Sequence, residues 1–225
     1  TGKMNFNIKK NPRVWIELIF DIVYLLTIFL SATYLYITAN PGTIRFRFAM
    51  IAFILGGGDS FHLIPRILSL LNKGHKDYRV SLGIGKLITS ITMTIFYVLL
   101  WGIGRDYYKL SPNILLSISV YSLSLLRLVV CLLPQNQWTS RKPSPRWGII
   151  RNIPFLILGF MVMGLFFLGA SLDGGLAYMW LAIAISFLCY MPVVVWVHKR
   201  PIVGMLMLPK SCAYVAMILM GFSVV

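Results

Sequence analysis

Long apolar runs, broken by short polar clusters, make up almost the whole chain. About 20 apolar residues carry a helix across the hydrocarbon core of a bilayer. Seven stretches meet that length: Val14–Thr38, Phe46–Leu71, Val80–Gly104, Ile114–Leu133, Trp147–Ala170, Leu176–Val197 and Ile202–Val225. The breaks between them are rich in turn formers: Asn40-Pro41-Gly42, Asn72-Lys73-Gly74, Leu110-Ser111-Pro112, Pro134 to Pro145, Asp173-Gly174-Gly175 and Lys199-Arg200-Pro201. The pattern predicts an all-α, polytopic membrane helix bundle, one transmembrane domain over residues 1–225 with no linker. The first run follows basic residues, as a signal peptide does. Its length of about 24 residues, without a small-x-small site, predicts an uncleaved span instead.

Composition sharpens this picture. Of 225 residues, 58% are hydrophobic and 12% charged, and the mean hydropathy is +0.81. A soluble domain is about a quarter charged, so a soluble α/β or all-β enzyme is not expected. Lys and Arg number 21 against 6 Asp and Glu, a formal charge of +15. On a soluble chain that excess would suggest nucleic acid. Here the basic residues gather at the ends of apolar runs, which is a membrane signature. Loops facing anionic lipid account for them, and no nucleic-acid partner is expected. Cys131, Cys189 and Cys212 lie inside apolar runs, without CxxC spacing or a nearby histidine. Neither a metal site nor a disulfide framework is expected.

The basic residues also orient the bundle. Lys3, Lys9, Lys10, Arg13, Lys73, Lys76, Arg79, Arg141, Lys142, Arg146, Arg151, Lys199 and Arg200 fall on one predicted side. Only Arg45, Arg47, Arg105 and Lys109 fall on the other. The positive-inside rule then gives a plasma-membrane protein with a cytoplasmic N-terminus and an exterior C-terminus. Trp15, Tyr34, Tyr36, Trp101, Trp147 and Trp196 sit near span ends, as a headgroup-level aromatic belt does.

Seven charged residues remain inside the spans: Glu17, Asp21, Asp59, Arg66, Lys86, Arg127 and Lys210. His62 joins them. Charge at membrane depth is costly and normally faces the bundle interior. At about 1.5 Å per residue, Asp59 and His62 fall near the midplane and the others in the cytoplasmic half. This predicts a polar cavity open to the cytoplasmic side. At about 100° per residue, Asp59 and Arg66 share one face of helix 2, with His62 about 60° away. Gly56, Gly57 and Gly58 allow a neighbouring helix to approach closely. Pro65 leaves the Phe61 carbonyl without its helical donor. An internal ion pair and a functional site both fit these residues. Glu17 and Asp21, four apart, share a face of helix 1, where pairing with a rim cation is expected. Lys210 in the last helix raises a retinal Schiff base. The only acids available lie in helices 1 and 2, and Lys210 is about 8 residues into its span, close enough to reach the rim. No cofactor is expected.

The segment Gly58-Asp59-Ser60-Phe61-His62-Leu63-Ile64-Pro65-Arg66 resembles the glycine-aspartate helix of the YhhN-type lysoplasmalogenases. Gly85 to Tyr97 is similar to that family's next helix, and Ser211 to Met217, including Tyr214, to its final one. The resemblance implies hydrolysis of a lysophospholipid vinyl ether, with Asp59 as the catalytic carboxylate. The family is usually drawn with eight spans. This chain carries Ile91 at the family's histidine position, Phe187 near its second aspartate and Met217 at the last polar position.

These readings combine into one expectation: a lipid-binding membrane protein, with a lysophospholipid as substrate. Asp59 would donate a proton and His62 would relay it or position water. Arg66, Lys86 and Lys210 would converge on a lipid phosphate, within a wall that includes Tyr214, Glu17 and Asp21. A non-catalytic lipid-binding protein or a transporter using the same pocket is the alternative. The oligomeric state is not legible.

The topology is directly testable. Single cysteines at Asn72 and Gly174, in a chain lacking Cys131, Cys189 and Cys212, are exposed to an impermeant thiol reagent on intact cells. Position 174 labels and position 72 does not; any other pattern overturns the span count.

Overall fold

The computed structural model describes residues 12–72, 77–110, 114–141, 143–172 and 174–224. Lys3, Lys9, Lys10, Lys73, Lys76 and Lys142 of the basic count lie outside them, as do Gly74, Ser111, Pro112, Asp173 and Val225 of the predicted turns and spans. The described residues form eight α-helices and no strand. These are α1 (Pro12–Thr38), α2 (Ile44–Leu71), α3 (Arg79–Tyr107), α4 (Ile114–Leu132), α5 (Pro145–Ile150), α6 (Ile153–Gly169), α7 (Met179–Trp196) and α8 (Met207–Leu219). Seven units are long and apolar enough to cross a membrane, with α5 and α6 together making the fifth. The protein is a multi-pass membrane helix bundle.

Two predicted spans are not single α-helices. The fifth breaks at Arg151 and Asn152, because Pro154 has no N–H for the Ile150 carbonyl. The side chain of Asn152 turns back to the Gly148 carbonyl at 2.7 Å. The seventh begins as a 3-10 segment, Pro201–Leu206, and ends as another, Met220–Ser223. There Pro209 cannot donate to the Met205 carbonyl, so regular α-helical bonding starts only beyond it.

α2 is the pivot, packing most extensively on α3 and α1. α8 lies against α7 and α1, and α6 against α7, α4 and α3. Mid-bundle, the core is aromatic: the Tyr97 ring lies 5.1 Å from Phe155 and 5.5 Å from Phe187, and Phe96 lies 5.8 Å from Tyr214. Outward-facing Leu30, Leu125, Phe160 and Leu188 are exposed, as expected of side chains that face lipid.

The α2–α3 contact depends on glycine. A Cβ at Gly58 would lie 1.9 Å from Thr92 Oγ1, and Thr89 Oγ1 donates to the Gly58 carbonyl at 3.0 Å. One turn on, a Cβ at Gly85 would lie 2.2 Å from the carbonyl oxygen of Phe61, the one Pro65 leaves free. Gly56 meets Ile28 of α1, whereas Gly57 meets nothing within 4 Å. Gly85→Ala should therefore separate α2 from α3 and lower the melting temperature in detergent, costing about 1–3 kcal/mol. Gly57→Ala, with open space at its Cβ, should hold or raise it, since alanine favours helix by about 1 kcal/mol over glycine. An equal response of the two variants removes the contact from the account.

Candidate functional site

The intramembrane charges separate into two adjoining cavities. The smaller, about 60 Å³, is lined by Glu17 and Asp21 of α1, Asp59, His62 and Arg66 of α2, and Lys210 of α8. The Arg66 guanidinium reaches Glu17 Oε2 at 2.9 Å and Asp21 Oδ2 at 3.7 Å. Asp59 Oδ2 accepts a hydrogen bond from the Tyr24 hydroxyl at 2.6 Å. Tyr24 is buried, so this bond is shielded from competing water.

The larger cavity, about 250 Å³, lies beside it and shares His62, Thr89, Met207 and Lys210. Its cationic wall is Lys86 of α3, Arg127 of α4, Arg151 at the α5–α6 break and Lys210. His62 and His198 also line it, and none of its described lining residues is Asp or Glu. Arg127 is only 2% exposed, and its Nε and Nη1 have no hydrogen-bond partner among the described residues. Its Cζ lies 3.3 Å from the Phe155 ring centroid, and the side chain bonds to that of Cys131. The Lys210 ammonium is 5.0 Å from the rings of both Tyr190 and Tyr214. Aromatic faces attract cations at such distances but do not neutralise them.

The connection after α4 folds back to form the cavity floor. Asn136 Nδ2 donates to the carbonyls of Val130 at 2.6 Å and Leu133 at 3.0 Å, satisfying acceptors that the helix end leaves open. Trp138 Nε1 donates to the Cys131 carbonyl at 2.9 Å. Arg151 Nη1 then donates to Asn136 Oδ1 at 3.1 Å, and its guanidinium sits 4.1 Å over the Trp138 ring. Across the cavity Tyr190 donates to Asn152 Oδ1 at 3.0 Å. A Cβ at Gly83 would lie 2.2 Å from the Trp138 carbonyl, so the floor rests directly on α3. An outer cleft carrying Arg79 and Arg141 shares Lys86 and Trp138 with this cavity. Asp77 also lines that cleft, beside Arg79.

The eight expected site residues are thus divided. Asp59, His62, Glu17, Asp21, Arg66 and Lys210 meet in the small cavity, while Lys86 and Tyr214 line the large one with His62 and Lys210. The expected convergence of Arg66 with Lys86 and Lys210 is not what the bundle builds, because Arg66 finds two carboxylates across the α1–α2 contact. Arg127 and Arg151 take its place. Arg127 was legible as the sole charge in its span. Arg151 reads as a loop charge until the Pro154 break turns it inward, and no sequence signal points from Tyr24 to Asp59. His62 bonds to the Leu82 backbone, and its Nδ1 has no partner among the described residues. Compared with family models, curated proteins and solved structures, the chain gives no match.

Proposed function

We propose that this membrane protein takes the phosphate of a lipid headgroup into its larger cavity, approached from the cytoplasmic face of the plasma membrane. The observation that carries the reading is Arg127, a buried guanidinium without an acidic partner in a cavity bearing three more cations. An uncompensated buried charge destabilises a protein, so its retention points to a ligand that neutralises it. Guanidinium and ammonium groups around one space suit a phosphate, which accepts several charge-assisted hydrogen bonds. A volume near 250 Å³ suits a headgroup rather than a whole lipid. The cytoplasmic orientation rests on the positive-inside count.

Arg127→Met tests this reading. Binding of short-chain phosphatidylglycerol to the detergent-solubilised protein, followed by calorimetry, should weaken about 10- to 100-fold, the worth of hydrogen bonds to a charged group. The melting temperature of the ligand-free variant should hold or rise. A large fall in melting temperature with binding intact would make Arg127 a structural residue instead.

Hydrolysis of a lysophospholipid vinyl ether is the second reading. It is favoured by the shared wall of the two cavities, which sets Asp59 and His62 beside the phosphate pocket. It also draws on the resemblance of the Gly58–Arg66 segment to the YhhN-type hydrolases. A carboxyl group protonates the outer vinyl carbon, and water adds to the oxocarbenium ion. The hemiacetal then collapses to an aldehyde and a glycerol hydroxyl. Asp59→Asn preserves an acceptor for Tyr24 but removes the transferable proton. In this reading aldehyde release from an alkenyl lysophospholipid stops while binding of phosphatidylglycerol persists. Aldehyde release that persists in Asp59→Asn would remove Asp59 from the chemistry.

A further inference from the structure

Lys210 belongs to both cavities. Its ammonium stands between the rings of Tyr190 and Tyr214, and the residue is buried to 8% exposure. On the small-cavity side it is the cation whose charge acts on Asp59, although the two are not in ion-pair contact. On the other side it faces Arg127 across the phosphate pocket. A four-carbon stem lets an ammonium swing between two such positions.

The charges around Asp59 make that swing consequential. From α1 come Glu17, Asp21 and Tyr24; from α2, His62 and Arg66; from α8, Lys210 and Tyr214; α3 contributes the neutral Thr89, with Lys86 beyond His62. Arg66 is engaged by Glu17 and Asp21. Three carboxylates therefore face two cations, and one of those cations also lines the anion pocket. An anion held there draws Lys210 towards itself and leaves Asp59 without a counter-charge. A bare carboxylate in a low-dielectric site is restored to neutrality most cheaply by a proton.

We propose that the two cavities form a proton-linked anion site, in which an anion bound by Lys86, Arg127, Arg151 and Lys210 is accompanied by one proton taken up at Asp59. This rests on the reading of the larger cavity as an anion pocket. Linkage is reciprocal, so protons must favour anion binding as much as the anion favours protonation. In the hydrolytic reading the same event loads the proton donor only when a headgroup is present.

Calorimetry of the full-length protein, in buffers of different ionisation enthalpy, counts the protons. The probes are short-chain phosphatidylglycerol and inorganic sulfate, which both keep a fixed charge between pH 6 and 8. Wild-type protein should take up close to one proton per anion, and affinity should fall by up to tenfold per pH unit as pH rises. Asp59→Asn should lose the uptake and bind more tightly than wild type at pH 8, because nothing competes for Lys210. Lys210→Met, a second variant should the first fail to fold, should also lose the uptake. Binding by wild type without uptake overturns the coupling and leaves the anion pocket standing. Failure of both probes to bind overturns the pocket, and the coupling with it. Uptake that persists in Asp59→Asn but vanishes in His62→Gln overturns Asp59 as the proton's seat. Coupled binding of the lipid supports a headgroup ligand; coupled binding of sulfate alone supports the linkage and overturns the lipid.

Discussion

At Pro65 the α2 helix gives up one backbone hydrogen bond, and the Phe61 carbonyl is left open inside a membrane bundle. Hydrocarbon supplies no donor, so another part of the protein must cover that oxygen. α3 covers it at Gly85, where even a methyl group would not fit. The same crossing lets Thr89 reach the Gly58 carbonyl and brings Thr92 against Gly58. Because α2 and α3 are locked here, His62 and Thr89 stand together in the wall between the cavities. Lys86, one turn before Thr89, then opens into the basic pocket. The close crossing at Gly58 and Gly85 thus sets the register that divides the intramembrane charges.

That division has opposite energetic character on its two sides. In the small cavity two carboxylates meet Arg66 at ion-pair distance and Asp59 holds Tyr24, so acids and bases face each other there, although Asp21 Oδ2 makes no hydrogen bond among the described residues. In the larger cavity four cations share a space with no described carboxylate, and Arg127 has two unpartnered nitrogens. Stacking on Phe155 recovers about 0.5–2 kcal/mol, less than the charge loses on leaving water. A bundle selected for stability alone would place a methionine or leucine at such a position. Strain of this kind gathers at functional sites, and here it lies in one pocket.

Much of this arrangement was legible in the chain. The seven spans followed from run length alone, since a bilayer imposes one dimension on every helix. The inward-facing charges of helix 2 followed from the helical period; of the three glycines expected at a close contact, Gly56 and Gly58 make one and Gly57 does not. The allocation of partners was not legible. Period and depth place Arg66 near Lys86 and Lys210, but only the α1–α2 packing reveals that Glu17 and Asp21 lie closer to it. The break before Pro154 was equally hidden. A proline near a span end reads as an ordinary first-turn residue, whereas here it turns Arg151 inward over Trp138 and completes the pocket. Tyr24 is a bulky ring on a mostly lipid-facing helix, and its bond to Asp59 depends on the contact of two helices.

The shape of the bundle bears on whether the basic pocket serves passage or capture. A carrier must expose its site to each side in turn, usually across broken helices near the midplane. The broken helices here lie at the basic end, at Arg151–Asn152 and at the 3-10 segment before α8. From the pocket wall at Phe155 and Tyr214 inwards, Phe96, Tyr97, Phe155, Phe187 and Tyr214 pack ring to ring. Within that cluster Ser186 donates to the Ile183 carbonyl at 2.8 Å, and its oxygen lies 3.3 Å from the Tyr97 hydroxyl, so these polar groups are engaged inside the core. At the opposite rim the half-exposed Arg47–Asp106 ion pair joins α2 to α3. Opening a path there would require separating the best-packed helices of the molecule and unstacking its core. A pocket that fills and empties from the basic end asks for neither, and a ligand whose tail remains in the bilayer never needs to leave by the far side.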